Sequence, residues 1–256
     1  MRYNINKLLS NYFIYILVLL ISLVIINYIF LSPKKYKGTI CLIIDDFGFS
    51  YDKMVKDFFD LNENLTAAII PGTLYATSIA KYADSLGIET IIHMPMESYE
   101  NDENMYPISL NQKLNANLVE QRINLAFNQI PNAIGMNNHQ GSKATENLQL
   151  MKNVARSLKK LNKFFLDSFT NPESRGFITM RRYGVPTQLR QVFLDHIEEP
   201  KQIKSNLDSL VNLSHKMNVA IGIGHVKPNT LNILKKEIPR LESLGYRFIK
   251  LSQVVH

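Results

Sequence analysis

The chain has 256 residues, 46% hydrophobic and 20% charged, with a formal net charge of +7. That is enough apolar material for a large core, in one (β/α)-barrel-sized domain or two small ones. The charge excludes a nucleic-acid footprint once it is located. Arg2, Lys7, Lys34, Lys35 and Lys37 lie within residues 1–37, which hold no acid, so the remainder carries 24 basic residues against 22 acidic.

Leu8 to Leu31 contains no charge. As a helix of 24 residues it would reach about 36 Å, enough to cross a bilayer of roughly 30 Å with some tilt. Tyr12, Tyr15 and Tyr28 lie towards its ends, as interface anchors do. A cleaved signal peptide needs small residues at its cleavage site, and the first alanine of the chain is Ala67. We therefore expect one uncleaved N-terminal transmembrane helix and a basic linker over residues 1–37, followed by one domain over 38–256. Charge does not orient the span, because Arg2, Lys7 and the amino terminus oppose Lys34, Lys35 and Lys37.

The apolar run Ile40–Ile44 is too short for a helix and rich in β-branched residues, the pattern of a strand buried on both faces of a parallel sheet. Its Cys41 is the chain's single cysteine, so no intrachain disulfide can form and the thiol reads as a small core residue. From here strand and helix patterns alternate. Strands are predicted at Thr39–Asp45, Leu65–Ile70, Glu89–His93, Ala133–Asn138, Phe164–Asp167, Val192–Asp195, Val219–Gly224 and Tyr246–Leu251. Helices are predicted at Lys53–Asp60, Leu74–Leu86, Leu114–Gln129, Leu148–Leu161, Lys201–Met217 and Thr230–Leu244, their apolar residues spaced by three and four. The implied fold class is α/β, with a parallel sheet most simply closed as a distorted (β/α) barrel of seven to eight strands. The loop Pro95–Leu110 is long enough to be functional.

The residues that carry chemistry fall at the carboxyl ends of these strands, where α/β enzymes place their sites. The first strand ends in Asp45-Asp46, the third in His93, the fourth in Asn137-Asn138-His139. The fifth ends in Asp167-Ser168, the sixth in Asp195-His196 and the seventh in His225. Asp and His side chains around an open position are the ligand set of a catalytic zinc or similar divalent ion. A second carboxylate beside the ion can take a proton from water, and a histidine opposite can give one to a leaving group. His225 suits the second task. The ordinary alternatives are turn chemistry for Asp45-Asp46, a satisfied structural residue for each histidine, and helix N-capping for Asp167 and Asp195.

Six ordered segments, Ile43-Ile-Asp-Asp-Phe-Gly48, His93-Met-Pro-Met-Glu97, Asn137-Asn-His-Gln-Gly-Ser142, Phe165-Leu-Asp-Ser168, Val192-Phe-Leu-Asp195 and Ala220-Ile-Gly-Ile-Gly-His225, resemble the divergent polysaccharide deacetylases. These are relatives of the metal-dependent chitin and peptidoglycan deacetylases. The resemblance implies a distorted barrel that hydrolyses N-acetyl groups on an envelope or extracellular glycan, with Asp45 as base and Asp46 as metal ligand. It departs from the mainstream pattern of two ligand histidines four apart, because the position four after His93 holds Glu97. His139 is then expected as the third ligand beside Asp46 and His93, with Glu97 the competitor or a loop carboxylate in water. Pro95 between His93 and Glu97 opposes a helical pairing of the two. Asn138, Ser142, Asp167 and Asp195 are candidates for substrate contact or for orienting the ligands, and Gly141-Ser142 for backbone donors to an oxyanion. Arg175, Arg181 and Arg182 read as a solvated helix face, with a place near an anionic glycan as the alternative. The enzyme is expected at the membrane through its N-terminal helix, with its catalytic domain outside the cytoplasm. Two other readings remain at this point, a metal-free glycoside hydrolase working with two strand-end carboxylates and a catalytically silent glycan-binding protein.

Overall fold

The computed structural model describes residues 15–23, 36–100 and 106–255. The first of these is a helical, exposed stretch, α1 (15–23). Most of the expected span Leu8–Leu31 lies outside the described residues, and no described helix is long and apolar enough to cross a membrane. The chain divides into two compact units, one ending at Tyr36 and one beginning at Lys37.

The second unit is built on β1 (Gly38–Phe47), followed by β2 (Thr66–Ile69), β3 (Glu89–Met96), β4 (Gly135–Gln140), β5 (Phe164–Asp167), β6 (Thr187–Leu189), β7 (Val192–Phe193), β8 (Ala220–His225) and β9 (Tyr246–Ile249). All pair in parallel, in the order β6-β5-β4-β3-β2-β1-β8-β7, with β9 also on β1. Since β8 lies against residues 40–45 of β1, β9 shares the other edge with β2: β9 takes residues 38–41 and β2 begins at Ile43. The helices are α2 (Lys53–Phe59), α3 (Ala76–Ser85), α4 (Ala116–Gln129), α5 (Leu148–Leu161), α6 (Gly176–Tyr183), α7 (Pro200–Ser214) and α8 (Pro228–Ser243).

The predicted strands are present with shifted ends, and one was missed. Thr187–Leu189 is three residues long and carries Gln188 mid-strand, so it offers no apolar run to read. It is nevertheless what curls the sheet. Residues 187–190 bond to β5, ending with Arg190 N–H on the Asp167 carbonyl. Residues 191–194 bond to β8, through Gln191 N–H on Ile221 O and Leu194 N–H on Ile223 O. One extended stretch thus reaches from one end of the sheet to the other.

Alternation along the strands sorts the apolar residues into two cores. Ile40, Leu42 and Ile44 pack with helix residues such as Val55, Phe58 and Ile79, while Cys41 and Ile43 join Ala68, Ile91, Leu166, Ile221 and Ile223 in a second cluster inside the curl. Burying each isoleucine fully contributes roughly 1.5–3 kcal/mol. The bottom of the inner cluster is closed by Leu251, Val254 and Val255. Their segment is held by Leu251 N–H on Thr66 Oγ1 and Ser252 N–H on Glu89 Oε1.

Helix ends follow local chemistry. Asp52, Asn115 and Asn147 accept N–H groups of the first turns of α2, α4 and α5. Pro200 and Pro228 open α7 and α8, and Gly184, at φ 67°, closes α6.

Candidate metal centre and catalytic groups

The inner columns of side chains run upward into the site. Ile43 is followed two residues later by Asp45, Ile91 by His93 and Ile223 by His225, so three polar groups cap three apolar columns on the same face. The register places Asp45 beside His225 and His93 beside Asn137. Strict alternation would turn Asp46 away. It does not, because β1 gains one residue between Ile44 and Phe47 relative to β2, a β-bulge that re-aims the chain. Asp46 takes φ 70° within it, a left-handed value that Asp tolerates better than most residues. Gly48 ends the turn at φ 136°, and a Cβ there would lie 2.1 Å from Thr73 Oγ1.

Asp46, His93 and His139 converge. Asp46 Oδ1 lies 3.2 Å from His93 Nε2 and 3.0 Å from His139 Nδ1, and the two nitrogens are 3.1 Å apart. Among the described residues no hydroxyl, amide, lysine or arginine donates to this buried oxygen, whose polar neighbours are the two imidazoles. Tetrahedral bonds of 2.0–2.1 Å imply about 3.3–3.4 Å between donor atoms, so the donor set and its spacing fit a divalent ion, zinc included. His93 is oriented by Asn137: its Nδ1–H donates to Asn137 Oδ1 at 2.7 Å, and Asn137 Nδ2 donates to both oxygens of Asp45 at 3.0 and 3.2 Å. All three residues are buried. His139 Nε2 lies 2.9 Å from the hydroxyl of Tyr106.

The environments push the two adjacent carboxyls apart. Burial raises Asp45, only partly offset by the charges of His93 and His225. Burial would raise Asp46 too, but its contacts with His139 and His93 prevail and hold it well below the usual carboxylate range. Burial pushes His139 down. His93 is raised: burial opposes this and the charge of Asp45 with the contact to Asp46 outweighs it.

His225 is held on two sides. Its Nδ1–H donates to Asp195 Oδ1 at 2.6 Å, leaving Nε2 for a substrate, and its ring stacks on Phe193 at 5.3 Å. The Arg190 guanidinium covers Phe193 at 3.8 Å, its own pKa lowered by burial to about 10. Asp195 Oδ2 takes the His225 backbone N–H and the Thr230 hydroxyl. Burial works against ionisation of both members, yet the hydrogen bond between them wins, raising His225 and lowering Asp195.

Other candidates stand apart from this centre. Glu97 is not in water: it is 3% exposed, 2.5 Å from Lys143 Nζ, and accepts the Gln112 N–H. It sits where the two ends of the Pro95–Leu110 loop meet, which explains a buried charge at this place. Asn138 faces away from Asn137 and ties the Gln140 carbonyl to the Ser168 N–H. Ser142 Oγ accepts the Tyr99 N–H. Asp167 accepts Phe169 N–H, Ser174 Oγ and Phe177 N–H, the last in the first turn of α6, so its role is the capping one. His196 is exposed. Sequence reading missed Asn137 and Tyr106. The signal for Asn137 was parity, since residues 137 and 139 share a strand face; for Tyr106 it was only its place in the long loop Pro95–Leu110.

Residues 42–255 match the model of a family described as divergent polysaccharide deacetylase. An uncharacterized protein of Haemophilus influenzae is 32% identical over 229 residues, covering 87% of this chain and 81% of that protein. The uncharacterized protein YibQ of Escherichia coli K12 is 29% identical over 211 residues, or 82% of this chain; the match spans 66% of YibQ, just under two thirds of its length. The crystal structure of the uncharacterized protein ATU2773 of Agrobacterium tumefaciens superposes with a TM-score of 0.82 at 20% identity, covering 88% of this chain and 91% of that one.

Proposed function

We propose, from the premise that this chain belongs to the divergent polysaccharide deacetylase family, that it is a metal-dependent hydrolase removing N-acetyl groups from an envelope or extracellular polysaccharide. The observation that carries the reading is the convergence of Asp46, His93 and His139 beside two differently tuned groups, Asp45 and His225. When bound there, a divalent ion supplies a Lewis acid that acidifies water and polarises an acetyl carbonyl. Asp45, raised by burial and tethered by Asn137, accepts the proton of the attacking water. His225, kept protonated to higher pH by Asp195, gives its Nε2 proton to the departing amine. Asp195 holds the ring, so that the proton moves at one nitrogen only.

A metal-free glycoside hydrolase needs a second carboxylate facing the substrate. Asp167 and Asp195 are both 0% exposed and held by hydrogen bonds, so neither supplies it, and only the adjacent Asp45 and Asp46 are left for such a pair. The proposal extends to location. The uncharged stretch Leu8–Leu31 would anchor the protein and carry the domain that starts near Lys37 outside the cytoplasmic membrane, where such glycans lie.

The test is an acetate-release assay on N-acetylated glycans after chelation and after adding back metal ions. Release that depends on added metal supports the reading. Equal release with and without chelator overturns the metal, and no release from any glycan by fully loaded protein favours a silent binding protein.

A further inference from the structure

The two ligand histidines are held very differently. His93 lies within β3, 1% exposed, and its second ring nitrogen is fixed by Asn137 from the neighbouring strand. His139 lies one residue from the end of β4, with the left-handed Gln140 after it, and is half-buried. The strand alone therefore does less to set its ring. Its ring is instead flanked edge-on by His93 at 4.8 Å and by Tyr106 at 5.1 Å. We propose that Tyr106 is a positioning residue for the ion, its hydroxyl oxygen taking the Nε2–H of His139 so that Nδ1 of that ring faces Asp46 and His93.

The inference rests on reading this cluster as a metal centre. Imidazole can bind an ion through either nitrogen, and the hydrogen bond at the other nitrogen selects which. With an ion on Nδ1 the proton must sit on Nε2, and the Tyr106 oxygen, 2.9 Å away, is the acceptor in place. Tyr106 is delivered by the segment between β3 and α4, which is pinned four residues later at Leu110. There Leu110 N–H donates to Pro95 O, and Leu110 O accepts Glu97 N–H. On its far side the Tyr106 ring meets Phe49 at 6.5 Å. The third ligand is thus completed from a loop, whereas the other two are set by strands.

The experiment titrates the metal-free, full-length protein with Zn2+ against a chromophoric chelator, without substrate. Tyr106→Phe keeps the ring and removes only the hydroxyl, so the metal-free form should stay folded and melt cooperatively, with at most the small shift of one lost hydrogen bond. The affinity for Zn2+ should fall 10–100-fold, the usual cost of losing a hydrogen-bond partner of a ligand histidine. In the Zn2+-loaded parent the His139 Nε2–H should give a protected proton resonance, and in Tyr106→Phe it should exchange faster with water. Phe49→Ala, which disturbs the Tyr106 ring but not the hydrogen bond, should bind Zn2+ like the parent. Parental affinity in Tyr106→Phe overturns the inference, as does an equal loss in Phe49→Ala, which would assign the effect to loop packing. A parent that binds no Zn2+ brings down the metal reading itself, an outcome distinct from both.

Discussion

At Asp46 a backbone of φ 70° and one extra residue in β1 bring two sequence neighbours to one site, and their surroundings give them separate chemistry. Asp45→Asn should keep metal and fold while losing on the order of 10²–10⁴-fold in turnover, because an amide cannot accept the proton. Asp46→Asn should weaken metal binding, with activity partly restored by excess ion. Both are read from metal content and acetate release on the same samples; full activity in Asp45→Asn would sink the mechanism. Asn137→Ala leaves His93 Nδ1 and Asp45 without their shared amide in a buried place. It should cost about 1–3 kcal/mol of stability and lower metal affinity as well, and denaturant titration beside metal titration checks both. At this scale the sequence was partly legible. The strand-end histidines and aspartates announced the site, but the choice between Asn137 and Asn138 needed the facing of His139, and Tyr106 needed the path of a loop.

At the scale of elements, the carboxylates that do not face the centre join one element to the next. Asp167 links the end of β5 to the start of α6, so closely that a Cβ on Gly176 would lie 2.5 Å from its Oδ2. Asp167→Ala should destabilise the domain by about 1–3 kcal/mol through the stranded donors and leave metal affinity unchanged. Asp195 links β7 to β8 and α8, and its effect depends on pH. Its folded pKa is lowered, so its contribution is present above the ordinary carboxylate pKa and fades as pH falls through the folded value. That of His225 is raised, so the shared attraction fades as pH rises through its folded value. The stability deficit of Asp195→Asn should therefore be largest between those two limits and shrink on both sides, measured by melting temperature against pH. The sequence could not separate these bracing carboxylates from catalytic ones, because both kinds follow a strand. What distinguishes them is the direction of the side chain, which the loops after β5 and β7 decide.

At the scale of the molecule, alternation of strand and helix was plain from Ile40 onward, since a strand covered on both faces needs an unbroken apolar run. β6 was hidden, because a three-residue stretch with Gln188 at its centre carries no periodicity. For the N-terminal stretch, the full-length protein should fractionate with membranes, and one starting near Lys37 should be soluble and folded. Recovery of a processed form lacking residues 1–31 from cells would disprove the anchor.

The placement of β1 between β2, β8 and β9 also has a temporal side. A ribosome makes β1 early and β8 late, so about 170 residues must follow before the edge that β8 pairs is covered, roughly 9–35 s of synthesis. Through that interval the strand that bears Asp45 and Asp46 offers an apolar, unpaired edge to any passing chain. The last turn, Leu251–Gln253, then closes the bottom. A nascent chain that has not yet reached it carries every site residue and still leaves the inner cluster open below.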